Sequence, residues 1–192
     1  MKIKPRYGHF NWIAPIYDRV FGEMHHEVLF GHLQAKPGQL VLDIGGGTGR
    51  VAQGLADIGA HIVVVDPSPQ MLDGTLEKGI PATRSLAEAL PFVSDSIDRI
   101  YVVDAFHHFA DQALAASELV RVLRPGGRLV IEEPDIRHLA VKGIAVAEKL
   151  ALMQSHFCTP PDIARLFSQA GAQLLTIAPD RINVHVVLAK RK

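Results

Sequence analysis

Two carboxylates and a glycine-rich turn form the most informative pattern in this sequence. Residues 41–50 read VLDIGGGTGR, so that an apolar run ends beside Asp43 and four glycines follow before a helical pattern begins. A second apolar run, 61–66, ends in another carboxylate, Asp66. Glycines let the backbone approach a ligand without Cβ atoms in the way, and a carboxylate at the end of the second strand can accept both hydroxyls of a ribose. The pattern therefore predicts a site for a nucleoside-type ligand.

The glycine spacing and Asp43 separate the possible ligands. The dinucleotide pattern Gly-x-Gly-x-x-Gly, started at Gly45, needs a glycine at position 50, where the chain has Arg50. No lysine follows the loop, as a P-loop for nucleoside triphosphates requires. Asp43 would repel a pyrophosphate but suits an ammonium group such as that of a methionyl moiety. A ligand with a free ribose and an ammonium group is therefore favoured over a dinucleotide or a nucleoside triphosphate.

The elements that must position these residues alternate between strand and helix patterns. Short β-branched runs predict strands at 39–44, 61–66, 82–86, 98–104 and 128–132, and helical spacing predicts helices at 48–58, 68–78 and 111–123. A further helix is expected from Thr159 to about Gln169, and strands at 173–177 and 184–189 are close enough to pair. We expect a doubly wound (Rossmann-like) α/β fold whose mainly parallel, seven-stranded sheet ends in an antiparallel hairpin.

Composition limits the class of protein. Lysine plus arginine and aspartate plus glutamate number 20 each, so no basic face for nucleic acid is expected. The single cysteine, Cys158, fits a reducing compartment, and we expect the cytoplasm. We expect no signal peptide and no membrane-spanning segment, because no apolar run is long enough.

Further motifs extend the pattern beyond the loop. They are FNWIAPIYD at 10–18, VDPSPQML at 65–72, AEALPF at 87–92, DSID at 95–98, FHHF at 106–109 and ELVRVLRPGGRL at 118–129. In this order, over about residues 10–133, the chain resembles the class I S-adenosylmethionine-dependent methyltransferases, and among them the ubiquinone/menaquinone biosynthesis C-methyltransferases. The resemblance implies that the cofactor is S-adenosylmethionine and the product S-adenosylhomocysteine.

The resemblance also implies roles for individual residues. Asp43 and the glycines would hold the methionyl part, Asp66 the ribose, and Met71 one face of the adenine. Asp104 would line the cleft near the sulfonium. The full set of predicted cofactor residues is Asp43, Gly45, Gly46, Gly47, Asp66, Pro67, Met71, Leu86, Ala87 and Asp104.

One position departs from the family pattern. The backbone around Ala87 would meet the adenine edge, and the family often has an acidic residue just before it to accept from the adenine amino group. This chain has Leu86 there, which puts that contact in doubt.

We expect a single methyltransferase domain over 1–192, with a helical N-terminal lid at 1–36, a cofactor-binding core at 37–133 and substrate-side helices and the hairpin at 134–192. The lid is predicted from Phe10, Ile13, Tyr17 and Val20, which recur at helical intervals.

The acceptor side is less clearly specified. His108 and Glu133 follow strands at the edge of the sheet where open α/β folds bind their ligands, and with Tyr17 from the lid they are our predicted substrate pocket. No catalytic base is assigned, and the histidines at 25, 26 and 32 lack the companions that a metal site needs. We expect methyl transfer to a small-molecule acceptor, with quinone-like compounds among the candidates. The alternatives are a non-catalytic module that binds the cofactor or its product and, less favoured, a nicotinamide-dependent oxidoreductase; the oligomeric state stays open.

Overall fold

A seven-stranded sheet with helices on both faces forms the described part of the chain, residues 26–135 and 156–192 of the computed structural model. The strands are β1 (Leu40–Ile44), β2 (His61–Asp66), β3 (Ala82–Arg84), β4 (Ile97–Val103), β5 (Leu123–Pro134), β6 (Ala172–Asp180) and β7 (Asn183–Lys190). The helices are α1 (Glu27–Leu33), α2 (Arg50–Ala56), α3 (Pro69–Glu77), α4 (Gln112–Val122) and α5 (Pro160–Gln169), with a 3-10 turn at Phe106–His108.

The strand order is β3-β2-β1-β4-β5-β7-β6. Strands β1 to β5 are parallel, whereas β7 is antiparallel to both of its neighbours, β5 and β6. The predicted fold is thus confirmed, including the antiparallel hairpin at one end. The chain runs outward from β1 to β3 and then returns to β4 on the other side of β1, which opens a crevice at the carboxyl ends of β1 and β4.

The central strands are buried on both faces. Leu42, Ile100 and Leu129 pack under α4 and α5, while their neighbours Val41 and Tyr101 pack on the opposite face under α1 and α2. Successive side chains of a strand point to opposite faces, so strands covered on both sides read as continuous apolar runs. This is why the runs in the sequence identified the centre of the sheet.

Two of the predicted helices, α3 and α4, begin at a capping side chain, whereas α2 begins after Gly49 without one. The Ser68 side chain accepts a hydrogen bond from the Met71 N–H at 3.2 Å, and Asp111 accepts from the Leu114 N–H at 2.9 Å. Thr159 precedes α5 as expected, but its hydroxyl donates to Asp162 at 2.5 Å rather than accepting from the backbone.

Several predicted boundaries differ from the structure by a few residues, and the largest differences lie in β5 and in the hairpin. Residues 125–127 read Pro-Gly-Gly, which is typical of a turn, but they lie inside β5, where the register with β4 shifts between the pairs Ile97↔Leu123 and Arg99↔Arg128. The hairpin is tighter than expected, since Asp180 pairs with Asn183 and leaves only two residues in the turn. The predicted helix around 10–21, with Tyr17, lies outside the described residues. Among the helices that are described, none has the length and apolar character needed to cross a membrane.

Candidate functional site

A cleft with about 650 Å³ of empty space, part of it open to solvent, lies at the carboxyl ends of β1 to β4. This position is the crevice where open α/β sheets bind ligands. The cleft is lined by Ile44, Gly45, Gly47, Val65, Asp66, Pro67, Met71, Ser85, Leu86, Ala87, Val103, Asp104, Ala105, His108 and Phe109.

Most of the predicted site residues lie together in this cleft. Those in its lining are Gly45, Gly47, Asp66, Pro67, Met71, Leu86, Ala87, Asp104 and His108. Gly46 belongs to the loop and lies against Asp43 behind it, Glu133 is buried beside the cleft, and Tyr17 lies outside the described residues. The lining residues that the sequence did not single out, such as Val65 and Val103, directly flank predicted ones, so position at a strand end was the available signal.

The glycine loop is shaped around Asp43. Gly45, Gly47 and Gly49 have positive φ angles of 73°, 56° and 73°, which residues with a Cβ rarely adopt. A Cβ on Gly45 would lie 2.6 Å from the Ala105 Cβ, and a Cβ on Gly46 would overlap the Asp43 carboxylate. The loop therefore passes over the carboxylate at a distance that only glycine permits.

Asp43 is a buried acceptor that is not fully used. Its side chain is 1% exposed, and its Oδ2 atom has no hydrogen-bond partner among the described residues. Burial raises the pKa of Asp43 to about 7, and the nearby Tyr101 hydroxyl, although outside hydrogen-bond geometry, opposes that rise. An unpaired buried carboxylate oxygen is costly, so this position fits a bound ammonium group.

Asp66 joins the loop to the following helix. Its Oδ2 accepts from the Gly47 N–H at 3.1 Å and its Oδ1 accepts from the Ser68 N–H at 2.8 Å. Burial raises the pKa of Asp66 to about 6, while these two backbone donors lower it. Each oxygen keeps a free lone pair, so the same carboxylate can hold the loop and accept from ribose hydroxyls.

The region predicted to meet the adenine is apolar. Met71 is buried, and its sulfur would lie 3.6 Å from a Cβ on Gly47. Leu86 is 42% exposed at the edge of the cleft, and Ala87 is buried beside it. Leu86 thus offers the adenine ring an apolar surface, and no carboxylate at this position can accept from its amino group.

Asp104 follows β4 directly, in a strained conformation. Its φ is 50°, and its N–H donates to the Glu132 carbonyl at 3.0 Å. Burial, with the charges of Glu133 and Glu132, raises the pKa of Asp104 to about 7. Non-glycine residues with positive φ concentrate at functional sites, and Asp104 lines the cleft.

The 3-10 turn after Asp104 is tied to β5 through Glu133. The carboxylate accepts from the Phe106 N–H at 2.7 Å through Oε1 and contacts His107 Nδ1 at 2.5 Å through Oε2. His107 and Glu133 are each 4% exposed. The next residue, His108, lines the cleft.

A second buried polar cluster lies on the opposite face of the sheet. Glu132 pairs with His185 at 3.0 Å, accepts from the Asn183 side chain at 3.1 Å and lies 3.9 Å from His26. Burial alone would raise the pKa of Glu132, but the two histidines lower it to about 2. His26 in turn contacts Arg50 at 3.2 Å, at the start of α2. The residues that the structure describes contain no group of three side chains placed to hold a metal ion.

Comparison with known proteins identifies the domain. Residues 42–131 match the family model described as a methyltransferase domain. The chain is 46% identical over 92 residues to an uncharacterized methyltransferase of Mycobacterium tuberculosis, an alignment covering 46% of this chain and 37% of that protein. It is 36% identical over 97 residues to a demethylmenaquinone methyltransferase of a Mycobacterium species, covering 50% of this chain and 42% of that protein. It is 28% identical over 161 residues to the O-methyltransferase cnsE of Penicillium expansum, covering 79% and 58%. The chain thus spans less than two thirds of the length of each of these relatives.

Solved structures share the fold. A Haloferax volcanii putative methyltransferase, solved in complex with the Trm112 methyltransferase activator, superposes with a TM-score of 0.84 at 17% identity, over 100% of both chains. The comparisons favour neither a nicotinamide-dependent oxidoreductase nor a non-catalytic module, and the predicted family and its cofactor, S-adenosylmethionine, are confirmed. Residues 42–131 form a class I S-adenosylmethionine-dependent methyltransferase domain.

Proposed function

We propose that this protein transfers a methyl group from S-adenosylmethionine to a small-molecule acceptor. The observation that carries the proposal is the unpaired, buried Oδ2 of Asp43, with the glycine loop above it and Asp66 at the next strand end. These are the groups that a ligand with an ammonium and a ribose requires.

The described residues fit the cofactor part by part. Asp43 would hold the ammonium, Asp66 the ribose hydroxyls, and Met71 with Leu86 and Ala87 the adenine. Bound S-adenosylmethionine supplies an electrophilic methyl group on a sulfonium. The protein would contribute alignment in a water-poor cleft, which is worth ~7 to 11 kcal/mol in favourable intramolecular reactions.

The acceptor side is proposed from the remaining lining of the cleft. Asp104, His108 and Phe109 form a wall that combines polar and aromatic groups, with Glu133 behind it. A small, partly apolar acceptor suits this wall, and the demethylmenaquinone methyltransferase relative supports quinone-like compounds as candidates. The same proposal includes a lid at 1–36 with Tyr17, a substrate-side role for 134–192 and a cytoplasmic site of action.

The test is direct detection of transfer. The protein is incubated with methyl-labelled S-adenosylmethionine and a panel of phenols, quinols, thiols and amines, and both the labelled product and S-adenosylhomocysteine are measured by mass spectrometry. We expect the two to form in equal amounts with at least one acceptor class, and to be strongly reduced in Asp66→Asn. Tight cofactor binding with no transfer to any class would instead favour the non-catalytic module.

A further inference from the structure

The 3-10 turn at Phe106–His108 presents a histidine to the acceptor side of the cleft. His108 lines the cleft between Asp104 and Phe109, all on the segment that leaves β4. An imidazole has two nitrogens, so one can be engaged by the protein while the other takes a proton.

The turn that carries His108 is fixed from several sides. Glu133 accepts from the Phe106 N–H at 2.7 Å, and the Gln112 side chain donates to the Phe106 carbonyl at 3.0 Å. The His107 carbonyl accepts from the His156 N–H at 2.7 Å. A backbone held this firmly fixes the position from which the His108 side chain enters the cleft.

His107 connects Glu133 to His108. Its Nδ1 contacts Glu133 at 2.5 Å, its ring stacks on Phe157 with centroids 4.3 Å apart and 12° between planes, and its ring centroid lies 4.0 Å from that of His108. If Glu133 only accepted the hydrogen bond from the Phe106 N–H, a neutral acceptor such as an amide would be enough. A buried carboxylate beside a buried histidine is costly to retain, so the pair points to a role beyond packing.

We propose that His108 accepts the proton of a hydroxyl acceptor during methyl transfer, and that Glu133 and His107 are the positioning residues that hold it. The inference rests on the proposed function and narrows its acceptor to the hydroxyl class. The acceptor oxygen bonds to the methyl carbon, the electron pair of the carbon–sulfur bond remains on sulfur, and the hydroxyl proton moves to an imidazole nitrogen. The Glu133 carboxylate contacts the His107 ring, which lies against His108, and its negative charge would favour the imidazolium that results.

The test compares acceptors of similar shape and different acidity in the full chain. General-base catalysis contributes ~10²- to 10⁴-fold, so His108→Ala should slow transfer to a phenol that is neutral at the assay pH by at least about 100-fold. Transfer to a nitrophenol that is already ionised, or to a thiophenol, should fall by less than about 3-fold, because neither needs a base.

A second test measures the absorbance of a bound nitrophenol and needs no methyl transfer. A nitrophenol that is mostly neutral in the buffer should show increased phenolate absorbance when bound to the complex of the protein with S-adenosylhomocysteine. His108→Ala should remove this increase while leaving the binding of S-adenosylhomocysteine unchanged.

Glu133→Gln tests the positioning role. The amide can still accept from Phe106, but its NH₂ group faces His107 and the charge is lost. We expect kcat for the neutral phenol to fall about 10-fold with the KM for S-adenosylmethionine unchanged, and little effect on the ionised acceptor. The matched control is Glu88→Gln, because Glu88 also accepts from two backbone N–H groups, those of Ala110 and Asp111, but has no histidine partner in the described structure. Glu88→Gln should either leave transfer unchanged or slow transfer to neutral and ionised acceptors by the same factor.

The outcomes separate this inference from the proposed function. The inference would be overturned if His108→Ala slowed transfer to neutral and ionised acceptors equally, or if the wild-type protein methylated the thiophenol but no phenol. Either result would leave methyl transfer itself supported. Failure of the wild-type protein to bind S-adenosylhomocysteine would contradict the proposed function itself.

Discussion

Replacing Asp43 by asparagine should weaken cofactor binding and remove a loss of stability that the free wild-type protein shows as pH rises. The carboxyl is buried with an unpaired oxygen, and its pKa is raised from 3.8 to about 7. Ionisation is therefore harder in the folded protein than in the unfolded chain, so the wild type loses stability as pH rises from about 4 through 7. Each pKa unit is worth about 1.4 kcal/mol, so the wild type should lose about 2 to 3 kcal/mol relative to Asp43→Asn between pH 5 and pH 9. The constant cost of burying the amide cancels in this comparison.

The same substitution removes the partner of the cofactor ammonium. A hydrogen bond to a charged group is worth ~1.5 to 3 kcal/mol, which corresponds to a roughly 10- to 150-fold weaker Kd for S-adenosylhomocysteine. Urea unfolding at the two pH values gives the stability difference, and calorimetric titration at pH 8 gives the Kd. Asp57→Asn, at an exposed carboxylate after α2, is the control that should change neither. A stability gap that does not change with pH, or an unchanged Kd, would refute the reasoning.

Three further substitutions test the glycine loop, the adenine side of the cleft and the Glu132 cluster. Gly46→Ala should weaken binding of S-adenosylhomocysteine by at least about 10-fold, because its Cβ overlaps the Asp43 carboxylate; calorimetry is the assay, and Gly31→Ala, whose Cβ meets nothing within 4 Å, should bind normally. Leu86→Asp should tighten binding about 3- to 10-fold by accepting from the adenine amino group, a gain that calorimetry should not find with the inosine analogue of the ligand. Glu132→Gln should lower the free energy of unfolding by ~3 kcal/mol at pH 7, since it leaves the buried histidines without their charge partner. The pKa of Glu132 is lowered from 4.5 to about 2, so this contribution is present above pH 4.5 and lost as pH falls through 2, which urea unfolding across that range should resolve.

The sequence predicts the sheet well because its signals are local. Apolar runs such as 61–66 mark strands covered on both faces, and capping residues such as Ser68 and Asp111 mark helix starts. The bulge inside β5 was not predictable, because Pro-Gly-Gly is typical of a turn and only the pairing of Leu123 with Ile97 keeps the strand continuous across it.

Some contacts of the candidate site also follow from local signals in the sequence, and others do not. Asp43 and Asp66 stand at strand ends beside a diagnostic loop, so their neighbourhood follows from topology alone. The contact of Glu133 with His107 joins residues 26 positions apart, and that of His185 with Glu132 joins residues 53 apart. Such pairs depend on strand register and on which face each side chain takes, neither of which periodicity fixes.

Calorimetric titration of the protein with S-adenosylmethionine, S-adenosylhomocysteine and NADH, repeated on Asp66→Asn, tests the central claim most directly. Binding of both sulfur ligands, no binding of NADH, and a loss of ~1 to 3 kcal/mol in the variant are the expected results, because the ribose hydroxyls lose an acceptor. If neither sulfur ligand binds at millimolar concentration, the cleft does not hold this cofactor and the account is contradicted.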